Sequence, residues 1–591
     1  MRNTSYTGKS TLSHDIQWKS INWFHINRYV EEVQQRIYRA ECLGNKRKVR
    51  DLQRMLVRSR AMLLLSIRKV TQINKGKKTA GIDGITALTS KERLELYQQM
   101  DKGSIELHKP KPSYRTYIKK KNGKLRPLSI PTIKDRIYQN IIKGALEPQW
   151  EARFESISYG FRPKRSCHDA LKRIFLSACH GNKKWAFEGD FKGCFDNLSH
   201  DYIMEQIKEF PYIDIIKKWL KAGYMDNNVY NETEFGSGQG NIVSPLIANI
   251  ALKGMEDALG IQYKTIKKNG ETYYTNISPY TLVFYADDFI VLCNSKDDAN
   301  RVYELLTPYL EKRGLTLSEE KTKVVPLNEG FDFLGFNVRI YDTCQGEKLL
   351  IKPSKETLVK AKTTIRETIK TMNGSNVTAL IGKLNPIIIG LANYWSPWVS
   401  KHAYATLDHY IWSCTTRFLK RLHNKKAWKW IYAKYYKPDK TGQSKDRWIL
   451  TEPNDNNQLK KMSWTPIIRH PLIRFKASPY NTELKEYFID RDTKEYSRYA
   501  VGSRQKLAKK QSYKCPICSQ AITDFSEKLK VKLKIPEIHD GKKEYKNMEL
   551  VHARCSSLYY KFYPEKGKLP TTDEIKTCYK EIKKQKLAMM I

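Results

Sequence analysis

The sequence predicts a multidomain protein of mixed α/β and all-α class, and three observations carry that prediction. Its 591 residues are too many for one core and suggest about three or four domains. Across residues 113–293, short apolar strand-like runs alternate with helical patterns, as an α/β region requires. On either side, at residues 16–74 and 357–430, apolar residues recur at helical spacing instead.

The elements follow in chain order. Residues 1–15 look like a disordered lead. The first helical stretch places Val30, Val33, Ile37, Leu52, Leu56 and Leu63 on apolar faces with basic residues between them; core packing and RNA contact both suit that pattern. A Gly-rich loop, GKKTAGIDGIT, fills 76–86. After the α/β region, the second helical stretch is rich in Lys, Arg, Trp and Tyr. Residues 435–457 are polar, carry Pro and Gly, and predict a linker. Residues 513–560 form a small module framed by cysteines and one histidine. Boundaries are therefore expected at 74/75, 345/346, 430/431 and 510/511. No internal repeat is visible.

Lys and Arg number 106 against 62 Asp and Glu, a net charge of +44. Such an excess makes nucleic acid the default partner. An anionic membrane is the rival, yet no run reaches the ~18–20 apolar residues of a spanning helix. The longest candidate, 380–395, is interrupted by Lys383, Asn385, Pro386 and Asn393. MRNTSYTGKSTLSHD has no apolar core for a signal peptide. Eleven scattered cysteines suggest no disulfide framework and a reducing compartment. The expectation is a soluble intracellular protein, without a membrane partner, that handles nucleic acid.

Within the α/β region, LVFYADDFIVLC (282–293) sets Asp287 and Asp288 between two apolar runs. Adjacent carboxylates suit a hairpin tip, but gripped between buried strands they repel unless a cation lies among them. A second acid, Asp190, ends the strand-like run that begins at Trp185 in KWAFEGDFKGCFDNLSHD. Phosphoryl transfer to a nucleotide uses two divalent cations roughly 4 Å apart, and Mg²⁺ takes oxygen ligands. On residue chemistry alone, ordinary strand-end acids are the commoner reading of such a trio and a metal role the rarer one.

The order of motifs carries a family resemblance. TAGIDGIT, KKNGKLRPLSIPTIKDRIYQ, SYGFRPKRSCHDAL, FEGDFKGCFDNLSH, GQGNIVSPLIANIAL, YADD, LEKRGLTLSEEKTKVV and FDFLGF resemble, in order, the blocks of group II intron reverse transcriptases/maturases. The resemblance implies a right-hand polymerase: fingers and palm at 75–345, with an antiparallel sheet and the YADD hairpin. It also implies an N-terminal helical extension (1–74), a helical thumb or domain X (346–430), and a linker and DNA-binding region (431–510). Asp190, Asp287 and Asp288 would be catalytic and would ligate two Mg²⁺ ions. Phe191, Phe195, Gln239, Arg115, Lys120 and Arg126 would line the nucleotide pocket, with Phe195 gating against a 2′-hydroxyl. The family usually has Pro before the Gln and two glycines after it. Here Gly238 precedes Gln239 and Asn241 follows Gly240, which implies a looser backbone there. IGKLNPIIIGLANYWSPWVSKHAYATLDHYIW resembles the thumb, its rings and cations suiting an RNA-tracking groove. Residues 465–491 resemble a target-DNA-contacting segment of the chloroplast-like subgroup.

Cys515-Pro-Ile-Cys518 and His552-Ala-Arg-Cys555 make a CxxC…HxxC clip, whose four soft donors suit structural Zn²⁺. In the family this clip belongs to an HNH endonuclease. Lys534 and Ile535 stand where its paired histidines are expected, and Ser556 where its terminal metal-binding His is expected. Asn547 persists, and nothing in the sequence positions His539. The resemblance therefore implies a zinc-binding, DNA-binding module (511–591) that has lost cleavage. Its partners would be intron RNA, target DNA, a DNA primer and dNTPs, with a homodimer allowed. The setting would be bacterial cytoplasm or an organelle. An RNA-directed DNA polymerase that assists splicing and retrohomes by target-primed synthesis is the leading reading. A splicing cofactor with a silent polymerase, and a host-recruited reverse transcriptase without an intron, are the alternatives.

Overall fold

A computed structural model describes residues 18–557 except 19–20, 22, 120–122, 124, 227–228, 269–270, 441, 443, 455–456, 501, 524–527 and 554. The lead expected at 1–15 and the end of the last module lie outside the described residues. The chain divides into two compact units: residues 1–154, 193–252 and 477–591 form one, and residues 155–192 and 253–476 the other.

In the first unit, helices Trp23–Cys42, Lys46–Val57 and Arg60–Arg68 pack against the long helix Ile133–Glu151. Their apolar stripes meet in a core that includes Ile37, Leu56, Ile67, Ile137 and Leu146, none more than marginally exposed. Asn45, Ser59 and Thr132 cap three of these helices through their side-chain oxygens, satisfying amides that have no partner within the helix. A four-stranded sheet runs in the order Leu125–Ile130, Ser113–Lys119, Tyr224–Asp226, Val229–Asn231. The C-terminal module adds helix Gly502–Lys510 and the antiparallel pair Leu529–Leu533 and Met548–His552.

The second unit centres on an antiparallel sheet ordered Lys323–Pro326, Trp185–Asp190, Asp288–Cys293, Tyr280–Tyr285. The two hairpin strands, Tyr280–Tyr285 and Asp288–Cys293, are buried almost throughout, because helices Cys167–Ala178 and Lys296–Glu311 cover the sheet. That cover explains why these strands read as continuous apolar runs rather than alternating ones. A three-stranded sheet, Phe331–Phe333, Phe336–Thr343 and Gly346–Pro353, follows. Helices Lys355–Thr371, Val377–Trp395 and Lys401–Leu422 complete the helical part, packed around buried Trp395, Trp398 and Tyr404.

Two expectations are corrected here. Residues 435–457 are not a bare linker: Tyr436–Lys437 pairs with Ile449–Leu450, and Tyr436, Ile449 and Leu450 are buried. Strands two residues long leave no periodicity to read. Helix Val377–Trp395 is also long and apolar enough, by length and composition, to cross a membrane. Lys383 and Asn385 do not lower its hydropathy enough to disqualify it. Its inward stripe, Leu380, Ile381, Leu384, Ile388 and Ala392, is buried within the unit.

Candidate active site

The acidic trio is assembled by strand register. Asp190 ends strand Trp185–Asp190 and pairs directly with Asp288, the first residue of strand Asp288–Cys293. Asp288 also faces Tyr285 across the hairpin, leaving Ala286 and Asp287 as its two-residue tip. Cross-strand partners lie about 4.5–5.5 Å apart at Cα, so both acids project from one end of the sheet on the same face. Asp287 joins them from the turn. Ala286 adopts φ 59°, a left-handed conformation uncommon for a residue with a side chain. The tip is held from behind: Tyr159 N donates to Phe284 O at 2.9 Å, and Phe284 N donates to Ile157 O at 3.1 Å. Gly160 completes this support. A Cβ there would stand 2.2 Å from Ala286 N, so only glycine lets the two backbones approach.

The electrostatics are those of a site short of positive charge. Burial, followed by the neighbouring Asp287 and Asp190 carboxylates, pushes the Asp288 carboxyl up to about 6, with Lys321 acting in the opposite direction. Asp288 is nonetheless exposed at the strand mouth, so it can meet a ligand. Lys321 Nζ lies 2.7 Å from Asp190 Oδ2, a counter-charge in an oxygen-lined site. The donor set is hard and anionic, as Mg²⁺ requires.

The first unit brings two other expected residues together: Arg126 Nε donates to Gln239 Oε1 at 2.7 Å, across more than a hundred residues of sequence. Arg115 donates to Ser129 Oγ at 3.0 Å and lies over the Tyr224 ring at 3.9 Å. Lys120 lies outside the described residues. Phe195 is buried, and its carbonyl accepts from Ser237 N. Phe191, in the second unit, stacks on Phe289 at 5.1 Å and is likewise buried, which leaves its backbone, not its ring, for contacts. The Gln239 loop is not loose as expected. Ser129 N donates to Gln239 O at 2.6 Å, Asn241 Nδ2 to Ser237 O at 3.1 Å, and Ile242 N to Gln139 Oε1 at 2.8 Å. Gly238 holds φ +64°, which a proline, fixed near −65°, cannot adopt. Gly238, where the resemblance leads to an expected Pro, therefore gives the loop a shape a proline could not hold, and Asn241 ties it down.

In the C-terminal module, the ligand atoms of Cys515, Cys518, His552 and Cys555 all lie within 4.8 Å of one another. Among the described residues no other group of three or more such side chains converges in this way, the acidic trio included. His552 Nδ1 is 3.3 Å from Cys518 Sγ, and its Nε2 is 3.2 Å from Ala521 O, which orients the ring. Hydrogen bonds from Cys518 and Cys555 hold the Cys515 thiol far below its ordinary range. Burial works to lower the His552 pKa, but its hydrogen bonds to Cys515 and Cys518 prevail and raise it to about 10. Ile517, Ile522, Leu550 and Val551 pack around the cluster. Where the endonuclease histidines are expected, Asn547 braces the loop instead, exchanging hydrogen bonds with Ile535 N and O at 2.8 Å. Ser556 is buried. His539, expected to be unpositioned, is buried in the short helix Glu537–His539.

Comparison with known proteins identifies the family of the polymerase and maturase regions. Residues 118–338 match the reverse transcriptase (RNA-dependent DNA polymerase) family, residues 18–100 the N-terminal domain of reverse transcriptase, and residues 358–436 the group II intron maturase-specific domain. Protein YkfC of Escherichia coli is 31% identical over 344 residues, covering 54% of this chain and 87% of YkfC. The chain belongs to the group II intron-encoded reverse transcriptases. The group II intron-encoded protein LtrA of Lactococcus lactis is 34% identical over 323 residues, 45% of this chain and 53% of LtrA. Maturase-like protein 1 of Euglena gracilis is 27% identical over 396 residues, 66% of this chain and 78% of that protein.

Two residues that matter to this reverse transcriptase's candidate site went unread in the sequence. Lys321 stands inside a motif that was recognised, but one lysine among so many basic residues carries no signal of its own. Gly160 lies in SYGFRPKR, where a glycine between Tyr and Phe is a hint of close backbone approach without saying to what.

Proposed function

We propose that this reverse transcriptase copies its intron RNA into DNA from a primer at the insertion site, and assists splicing of the same RNA. The observation that carries the reading is the register pairing of Asp190 with Asp288 beside the Asp287 turn. Asp190, Asp287 and Asp288 would hold two Mg²⁺ ions. Magnesium would supply a lowered pKa for the primer 3′-hydroxyl and neutralise charge on the departing pyrophosphate. Arg126, oriented by Gln239, would lie against the triphosphate, where a rigid cation offsets developing charge. Arg115 and Lys120 would support it, Phe195 would exclude a 2′-hydroxyl, and the Phe191 backbone would line the pocket. Cys515, Cys518, His552 and Cys555 would hold a structural Zn²⁺, since four soft donors already converge. The module around them would bind DNA without cutting it, because Asn547 and the Lys534–Ile535 step offer no metal-activated water. Target-primed synthesis would then use a primer made by another route, such as a nascent strand at a replication fork.

Primer extension on poly(rA)/oligo(dT) with dTTP and Mg²⁺ tests the polymerase: extension abolished by EDTA is expected. Splicing assistance without any extension would favour the silent-polymerase cofactor. Incubation of protein and intron RNA with target DNA tests the module. No bottom-strand nick is expected, and a nick lost on altering the module would overturn the inactive-nuclease reading.

A further inference from the structure

We propose that the cavity between helices Lys355–Thr371 and Lys401–Leu422 is a socket for one backbone phosphate of a bound RNA. The cavity is about 180 Å³ and its walls carry Arg366 and Lys370 from one helix and Arg417 and Arg421 from the other. Each pair is spaced i,i+4, so its members are neighbours on one face, and like charges there are mutually unfavourable. Two such pairs turned toward one cavity compound the cost, which a bound anion would reverse.

Local acids do little to offset it. Glu367 lies 3.5 Å from Arg366 Nε and 3.9 Å from Lys370 Nζ, longer than a hydrogen-bonded pair, and all three side chains are exposed. Arg417 spends its guanidinium on neutral partners, Ser413 O at 3.4 Å and Cys414 Sγ at 3.3 Å. Among the described residues, Arg421 has no carboxylate partner. The floor is apolar: Ile369, Cys414 and Phe418 are buried.

The chemistry selects a tetrahedral oxyanion. Guanidinium groups present fixed forks that match phosphate geometry and lose little freedom on binding. RNA is the favoured source because all four wall residues fall within the maturase-specific match, residues 358–436. In that respect the inference rests on the RNA-binding reading above, but not on the polymerase.

The test compares full-length variants by fluorescence anisotropy on a labelled structured RNA hairpin across a salt titration. Arg417→Gln/Arg421→Gln and, from the opposite wall, Arg366→Gln/Lys370→Gln are set against Arg339→Gln/Lys348→Gln, a control with the same charge change on a hairpin elsewhere. Thermal melting establishes that each is folded, and two opposed walls keep the test alive if one variant is not. Expected is an affinity loss of about tenfold near 150 mM salt for either wall, with the salt slope shallower by roughly one, as for one lost phosphate contact. Arg417→Lys/Arg421→Lys should fall between. Wall variants indistinguishable from the control would overturn the proposal. So would an equal loss on a DNA duplex of the same length, which would deny the preference for RNA. Inorganic phosphate raising the wild-type melting temperature while the wall variants bind RNA normally would identify a free-anion site and also overturn it. Primer extension at saturating template, measured in parallel, reports on the polymerase separately.

Discussion

Asp190 and Asp288 meet only because two antiparallel strands, distant in sequence, pair in register. Cys515 with Cys518, and His552 with Cys555, arrive instead as two short clips whose ligand atoms converge, His552 ending strand Met548–His552 and contacting Ala521 O beside the first clip. The first set is hard, anionic and open, with Asp288 exposed and its acidity weakened by its neighbours. The second is soft, buried and already closed, with all four ligand atoms clustered. An open set of oxygen donors leaves positions for substrate and water, whereas a closed tetrahedral set leaves none. The difference teaches where the chemistry and where the structural support should be sought.

The sharpest way to break that contrast is to remove the closed site's donors. Cys515→Ser, or a strong chelator, should unfold the C-terminal module, because structural zinc is commonly worth about 10 kcal/mol or more of folding energy. Limited proteolysis should then remove residues beyond about 510, while primer extension on a simple template persists. A module that resists protease without metal would mean the cluster is merely packed thiols.

Next in size is the support behind the open site. Gly160→Ala puts a Cβ into Ala286 N and should cost about 2 kcal/mol or more, read as a lowered melting temperature with a disproportionate fall in extension rate. Wild-type stability would show that the hairpin tip yields freely. A smaller effect is expected at Lys321. Removing an exposed counter-charge worth at most ~1 kcal/mol should lower the Mg²⁺ concentration for half-maximal extension about two- to fivefold in Lys321→Met. A rise instead would assign Lys321 to the substrate.

The smallest effect tests whether buried acids outside the trio share its character. Burial pushes Glu256 up to about 7, with Glu155 and Asp257 adding to it and the Tyr263 hydrogen bond opposing. A carboxyl raised in the fold binds its proton more tightly there than in the unfolded chain. Stability is therefore lost as pH rises from about 4.5 through 7. Glu256→Gln should melt a few degrees higher than wild type at pH 8, with the gain gone by pH 4.5. A gain independent of pH would point to packing rather than ionisation.

How much was legible follows from the same contrast. The Cys/His clip was readable because donors at fixed short spacing leave a local mark, whereas acids terminating apolar runs leave a weaker one that singled out the trio only with the family order beside it. Arg126 and Gln239 were marked separately through family order, and their hydrogen bond was not read, since no local rule links a strand arginine to a distant loop. Gly160, Lys321 and the braced Gln239 loop were not, because each depends on a backbone or charge brought up by the fold. The 435–457 segment misled because its two-residue strands are held by burial of Tyr436, Ile449 and Leu450 rather than by pattern.

The most direct measurement is single-turnover primer extension with Mg²⁺ by Asp190→Asn and Asp288→Asn beside wild type, all with matching melting curves. Both variants are expected to lose at least about a thousandfold in rate, equivalent to roughly 4 kcal/mol of barrier. Extension by Asp190→Asn at anything near the wild-type rate would contradict the account.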